Sequence, residues 1–116
     1  MHGVSNGDLD APWPKTAALM ARLRAWCGSA DANGDAPDLA LLFDALADPA
    51  PAPDDALPDT GVGLELERFL SPAFIRSERY GTRASTVVLI GDGEARIVER
   101  RFGPDGIFEG ETDLRA

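Results

Sequence analysis

The chain has 116 residues, of which 44% are apolar, and a formal net charge of −9 at neutral pH. The length suits one domain over residues 1–116, and the apolar share suffices for a packed core, so wholesale disorder is not expected. The negative charge disfavours binding to nucleic acid or to anionic membrane surfaces, and no apolar run approaches the roughly 18 residues of a membrane span. We therefore predict no nucleic-acid partner and no membrane insertion.

Cysteine and histidine usage excludes several kinds of site. Cys27 is the single cysteine, so no internal disulfide forms, and a reducing, cytoplasmic location is predicted. The N-terminus lacks the basic and apolar pattern of a secretory signal. His2 is the single histidine and lies far from Cys27 in the sequence, which leaves no zinc spacing. The acidic cluster at Asp54, Asp55 and Asp59 lacks the calcium-loop pattern. We predict no metal and no cofactor.

The first predicted elements are a short strand and a helix. Residues 2–6 are predicted to be the tail of the strand. The helix is predicted from Pro14, because the missing N–H of proline costs nothing at the first helical position, and it ends before Gly28. Its apolar face recurs every three or four residues: Leu19, Met20, Leu23, Trp26 and Cys27. A polar loop over residues 29–35 follows. Trp13 and Trp26 are expected to be packing anchors.

A second helix is predicted to begin at Pro37 and to end at Asp48-Pro49, since a residue before proline avoids helical backbone. It carries the clearest apolar stripe of the chain: Leu39, Leu42, Phe43 and Leu46. Residues 49–60 are predicted to be a stiff, extended and solvated Pro-rich connector. Residues 64–70 fit a short helix or, through Leu64 and Leu66, a strand. The helix is favoured by the helix formers Glu65, Glu67 and Arg68.

The last third of the chain is predicted to be β-structure. Residues 86–90 form a β-branched run without polar alternation, which predicts a strand buried on both faces. Residues 91–93, Gly-Asp-Gly, predict a three-residue hairpin turn into a strand that ends at Phe102. Residues 103–106 predict another turn, and two short pieces, Ile107-Phe108 and Thr112 to Leu114, are expected to add a final edge strand. Helices followed by an antiparallel sheet predict an α+β fold, with helices packed on the sheet.

Two stretches resemble the NRDE-motif family, of the transport and Golgi organisation type. The first is His2-Gly3-Val4-Ser5-Asn6 with Asp10-Ala11-Pro12-Trp13-Pro14-Lys15, and the second is the block from Leu57 to Ile90. The resemblance implies an αββα sandwich like that of N-terminal-nucleophile hydrolases. The family is named for an Asn-Arg-Asp-Glu tetrapeptide near its N-terminus, which this sequence does not contain. The chain is therefore expected to be the C-terminal portion of an NRDE-type domain.

The resemblance also sets expectations about activity. In N-terminal-nucleophile hydrolases an exposed N-terminal Cys, Ser or Thr attacks an amide carbonyl, with its own amine as the base. Here the chain begins Met1-His2, and Cys27 ends a predicted helix without a free amine beside it. We expect the chain to be inert alone and to pair with the N-terminal half of the same protein or with itself. The full-length protein is implied to be an amide hydrolase or a handler of small molecules such as haem or lipid.

Two residues are candidates for a site by the same resemblance. Asn6 matches an asparagine that contacts the reacting carbonyl in related hydrolases, and an amide can both donate and accept hydrogen bonds. Its alternative interpretation is a turn residue at the connection to the first helix. Arg83, in Tyr80-Gly81-Thr82-Arg83, is expected to hold a carboxylate or to orient a nucleophile. Its alternative interpretation is a solvated loop arginine.

Two other functions fit the sequence. The chain could be a stand-alone acidic α+β module that binds a protein partner through its helices or its sheet. It could also be an independent enzyme, but the sequence offers no nucleophile–base pair for that role. The ligand or substrate is not identified by any motif.

Overall fold

The computed structural model describes residues 1–34 and 36–116, which form two compact units, Met1–Phe74 and Ile75–Ala116. The first unit contains three α-helices, and the second contains a three-stranded antiparallel sheet. The predicted α+β class is therefore confirmed. That residues 1–116 act as one domain, within an αββα sandwich, stays a prediction.

Helix α1 spans Pro14–Cys27, with its start and its end as the sequence predicts. Trp26 is buried, and its indole Nε1–H donates to the carbonyl of Asp38 at 2.6 Å. Leu23 and Cys27 are exposed, so the apolar face is narrower than the spacing predicts. Cys27 is therefore not a packed apolar residue of this helix.

The strand predicted at residues 2–6 is wrong, because this segment is a loop. Asp10 closes the loop: its N–H donates to the carbonyl of Gly3 at 2.7 Å, and its carboxylate accepts the Gly3 N–H at 2.8 Å. Gly3 itself packs so closely on Thr16 of α1 that a Cβ there would collide with the threonine methyl group. These local bonds satisfy the backbone without a sheet partner.

Helix α2 spans Ala40–Leu46 and begins three residues after the predicted start at Pro37. The delay has a local cause, since the Asp38 carboxylate accepts the Ala40 N–H at 2.9 Å while the Asp38 carbonyl accepts from Trp26. The predicted stripe is confirmed, with Leu39, Leu42 and Phe43 buried and Leu46 half-buried. The predicted loop at residues 29–35 contains a 3₁₀ turn over Ala30–Ala32, and Asp35 lies outside the described residues.

The Pro-rich connector is exposed along most of its length, as predicted, but it is bonded to the helix that follows it. Helix α3 spans Leu64–Leu70, which confirms the helix over the strand. The Ala52 N–H donates to the Ser71 hydroxyl oxygen at 2.9 Å, and Asp54 forms an ion pair with Arg68 at 2.7 Å. The connector is therefore held by side chains rather than freely solvated.

The sheet has the order β1-β2-β3, with strands β1 Ala84–Ile90, β2 Ala95–Phe102 and β3 Phe108–Arg115. Val88 lies opposite Ile97, which lies opposite Leu114. The prediction that β1 is buried on both faces is wrong, because Val88 is 55% exposed and Ile90 is 83% exposed. Successive side chains of a strand point to opposite faces, and only one face of this edge strand is covered.

The turns of the sheet depart slightly from the prediction. Four residues, 91–94, connect β1 to β2 instead of three, and the Gly91 N–H donates to the carbonyl of Glu94 at 2.9 Å. The predicted turn at residues 103–106 is confirmed as a 3₁₀ turn over Pro104–Gly106. The predicted edge strand is also confirmed, and it is one continuous strand.

Candidate functional site

Asn6 lies exposed in the loop that Asp10 closes. Its side chain makes no hydrogen bond to any residue in the ranges 1–34 and 36–116. At the base of the loop, His2 Nδ1 lies 2.6 Å from the Asp10 carboxylate. The hydrogen bonds from His2 and from the Gly3 N–H lower the pKa of Asp10. The loop holds Asn6 on the surface, and its role in a reaction stays a prediction.

Arg83 is exposed at the start of β1, and the loop before it has a structural explanation. The Thr82 N–H donates to the carbonyl of Ile75 at 2.9 Å, and the Thr82 hydroxyl oxygen accepts the Ile75 N–H at 3.0 Å. A Cβ on Gly81 would lie 2.7 Å from that same carbonyl oxygen, so the loop requires glycine. The Arg83 carbonyl accepts the Phe102 N–H at 2.8 Å, which fixes the backbone there.

The Arg83 guanidinium has no acidic partner among the residues that the structure describes. Asn6 belongs to the first unit and Arg83 to the second. The two residues are therefore considered separately. The role of Arg83 as a carboxylate binder also stays a prediction.

The two faces of the sheet differ in chemistry. One face carries the ion pairs Arg96–Asp113 at 2.7 Å and Arg100–Glu111 at 2.8 Å, together with the buried Val98 and Ser85. The other face carries exposed apolar side chains that lie in register across the three strands, beside the hydrogen-bonded polar pairs Thr86–Glu99 and Arg101–Thr112. We call this set the apolar row: Val88, Ile90, Ile97 and Leu114. Ile97 is 39% exposed and Leu114 is 59% exposed, so the row is open to solvent.

The first unit contains a cavity of about 490 Å³, between α1, α2 and the segment that follows α2. We call it the α1–α2 cleft. Its volume lies within the range of roughly 300–1,000 Å³ that is usual for small-molecule sites. Much of its lining consists of small and apolar side chains: Pro14, Ala18, Leu19, Leu41, Ala45 and Pro49.

Two cations line the cleft from α1. Lys15 and Arg22 are seven residues apart, so they lie on one face of the helix. The Lys15 ammonium is partly buried and donates to the carbonyl of Leu70 at 2.9 Å. Desolvation lowers the pKa of Lys15. An ammonium has three donors, so this single bond leaves capacity to bind an acceptor.

Two carboxylates line the cleft from α2 and its C-terminal end. They belong to Asp44 and Asp48, which are four residues apart. One Asp48 carboxylate oxygen accepts the Ala50 N–H at 2.9 Å. No ion pair joins either carboxylate to Lys15 or Arg22 in the described part of the chain. The cleft therefore has an apolar lining with separate cationic and anionic groups.

The Ser71 hydroxyl lines the cleft and is bonded to the backbone. Ser71 is buried; its oxygen accepts the Ala52 N–H, and its hydroxyl donates to the carbonyl of Arg68 at 2.7 Å. Both bonds tie the hydroxyl to backbone groups, and among the described residues no general base contacts it. Sequence analysis missed the cleft. The seven-residue spacing of Lys15 and Arg22 was the one signal, and it needed α2 in place to become a site.

Residues 1–34 and 36–116 contain no group of three His, Cys, Asp or Glu side chains placed to hold a metal ion. In the same part of the chain, no helix combines the length and the hydropathy needed to cross a membrane.

The family model for Transport and Golgi organisation 2 matches residues 1–104. The chain belongs to this family. The match includes both stretches on which the NRDE-type resemblance was based, as well as Asn6, Lys15 and Arg83. No curated protein sequence matches the chain. Membership of the Transport and Golgi organisation 2 family is thus established, while the position of this chain within a full-length member is a matter for proposal.

Proposed function

We propose that this chain is the C-terminal portion of a Transport and Golgi organisation 2 domain that handles small molecules, and that the N-terminal half of the domain docks on its sheet. The observation that supports the proposal best is the apolar row on the sheet. The alternating faces of a strand normally place apolar side chains toward a core, but these four are open to solvent. A second layer of structure would remove them from water.

The proposed partner is the polypeptide that carries the Asn-Arg-Asp-Glu tetrapeptide of the family. In the sandwich that the family resemblance implies, two sheets face each other at a spacing of about 10 Å and their inner side chains interdigitate. The apolar row provides such an inner face, since Val88, Ile97 and Leu114 lie side by side across three strands. On the opposite face, which carries the ion pairs, Val98 is only 3% exposed, so that face offers less apolar surface to a partner.

The docking proposal is tested by mixing the 116-residue chain with the N-terminal half of a family member. We expect a one-to-one complex with micromolar or tighter affinity, measured by analytical ultracentrifugation. Ile97→Lys places a charge in the middle of the row and should weaken the complex at least about tenfold, since an unpaired charge is costly to bury. Ile107→Lys changes an equally apolar, exposed residue outside the strands and should leave the affinity within about twofold.

Two results would contradict the docking proposal. One is the absence of a complex at micromolar concentrations. The other is a stable homodimer of the 116-residue chain that Ile97→Lys dissociates, which would make a second copy the partner. A monomer that ignores the N-terminal half would favour a stand-alone acidic interaction module.

In this proposal any hydrolytic activity belongs to the assembled protein. Amide hydrolysis needs a nucleophile with an adjacent base, and the described residues of the cleft supply neither. Small-molecule binding, including the handling of haem or lipid that the family resemblance implies, needs no such pair. We therefore expect the purified chain to release no product from acylated amines, whereas the complex either turns over such compounds or binds its ligand without turnover.

A further inference from the structure

The α1–α2 cleft carries two opposite charge types on separate elements, and this arrangement restricts what it binds. The cations Lys15 and Arg22 come from α1, while the carboxylates Asp44 and Asp48 come from α2 and the residues after it. Neither pair neutralises the other through an ion pair in the described part of the chain. A ligand that fills the cleft meets both.

We propose that the α1–α2 cleft binds a zwitterionic apolar small molecule, namely an apolar amino acid or a short apolar peptide with both ends free. Its carboxylate lies against Lys15 and Arg22, its ammonium lies against Asp44 and Asp48, and its side chains contact the alanine, leucine and proline lining. The inference builds on the proposed small-molecule role but not on docking of the sheet.

The state of Lys15 supports the carboxylate end of this ligand. Its ammonium is partly desolvated, and a single backbone carbonyl does not replace the lost hydration. A ligand carboxylate would restore charge-assisted hydrogen bonds, which are about twice as strong as neutral ones. Arg22 lies seven residues further along the same face of α1. Its planar guanidinium presents several N–H donors in a geometry that fits a carboxylate.

The carboxylates of the cleft support the ammonium end. Asp48 uses one oxygen to accept the Ala50 N–H, which fixes the carboxylate and leaves the second oxygen for a ligand. A plain fatty acid would leave Asp44 and Asp48 unmatched and would approach a chain of net charge −9. A zwitterion carries no net charge and so meets no long-range repulsion.

The experiment titrates the 116-residue chain with Leu-Leu, N-acetyl-Leu-Leu, Leu-Leu-amide and octanoate, followed by backbone amide NMR shifts. We expect Leu-Leu to bind with a Kd on the order of 0.1–1 mM, as its size allows, and to shift amides of α1 and α2. Removing either ligand charge should weaken binding about threefold or more, the scale of a partly exposed ion pair.

Combining protein variants with the modified ligands identifies which side chains of the cleft contact the carboxylate of the ligand and which contact its ammonium. Arg22→Gln should weaken Leu-Leu about threefold and leave Leu-Leu-amide unchanged, whereas Asp44→Asn should weaken Leu-Leu and leave N-acetyl-Leu-Leu unchanged. Arg24→Gln and Asp55→Asn are the matched controls, because both residues are exposed and neither lines the cleft. Circular dichroism confirms that each variant is folded.

Three outcomes would overturn the inference: no shifts in α1 and α2 at 10-fold excess over the expected Kd, octanoate binding as tightly as Leu-Leu, or an effect of Asp44→Asn that is equal for the free and the acetylated peptide. Because the titration needs no partner chain, its failure would leave the docking test of the sheet unaffected.

Discussion

The helical unit and the sheet unit place their apolar residues in opposite ways. In Met1–Phe74 five large apolar side chains are buried: Trp26, Leu39, Leu42, Phe43 and Phe74. In Ile75–Ala116 a single large apolar side chain, Val98, is buried to this degree, and the apolar row is open. The helical unit therefore buries several large apolar side chains, whereas the sheet unit buries one and leaves the apolar row exposed.

This difference indicates which residues stabilise each unit and which residues are exposed and able to form an interface. Buried apolar area is the main favourable term of folding, so substitutions in the helical core should be the most costly. Exposed apolar positions contribute little to the folded chain but much to an interface that covers them. The substitutions below test that contrast, beginning with the largest expected effect.

Phe43 offers the strongest test of the helical core. It is 3% exposed, so Phe43→Ala should lower the free energy of unfolding by about 3–5 kcal/mol. Leu41→Ala, two residues away on the same helix and half exposed, should cost less than about 1 kcal/mol. Urea unfolding followed by circular dichroism measures both. Equal effects would mean that α2 is not anchored by its buried face.

Val98 and Ile97 test the two faces of one strand. Val98 is 3% exposed, and Val98→Thr buries a hydroxyl, which should cost about 1–3 kcal/mol. Ile97→Thr should cost less than about 0.5 kcal/mol in the isolated chain, because its side chain is already in contact with water. The same Ile97→Thr protein should bind the N-terminal half more weakly. A large stability loss from Ile97→Thr would show that the row is already covered in solution.

Gly81 tests the loop that leads into the sheet unit. Gly81→Ala places a methyl group 2.7 Å from the Ile75 carbonyl oxygen and should cost about 1–2 kcal/mol through backbone displacement. Gly91→Ala is the matched control, since a Cβ there meets no described atom within 4 Å. Thermal unfolding of the two variants gives the comparison. A neutral Gly81→Ala would show that the Tyr-Gly-Thr-Arg loop relaxes freely.

The elements that were predictable from the sequence are those encoded by local signals. Pro14 and Gly28 bracket α1, and residues 103–106 mark a turn, because each acts through its own backbone preferences. The burial of β1 was predicted wrongly, since an uninterrupted apolar run looks the same whether both faces are covered or one is reserved for a partner. Periodicity indicates which residues prefer burial, but it does not indicate whether another part of the structure covers them.

The candidate site was less predictable than the fold. Asn6 and Arg83 were chosen by family resemblance, and each lies exposed in its own unit. The structure describes the neighbours of each residue but does not test a catalytic role for either. The α1–α2 cleft depends on two helices joined by a loop, and on a lysine whose desolvation arises only on folding. The seven-residue spacing of Lys15 and Arg22 indicates only a shared helix face, and it does not show that α2 packs beside it.

Acid unfolding provides the finest comparison of the two units. The Arg68 guanidinium lowers the pKa of Asp54 in the helical unit, and the Arg96 guanidinium lowers the pKa of Asp113 in the sheet unit. A carboxyl group whose pKa is lower in the folded chain adds stability above about pH 4, and this contribution is lost as the pH falls through the lowered pKa.

The unfolding midpoint should therefore decrease as the pH falls below about 4, and Asp54→Asn and Asp113→Asn should each flatten part of that decrease. Asp92→Asn, in the loop between β1 and β2, controls for the loss of one negative charge. All effects should be small, because both pairs are exposed to solvent and screened by salt. If Asp113→Asn alone flattens the acid limb, then the sheet unit, which has the smaller apolar core, relies on its ion pairs more than the helical unit does.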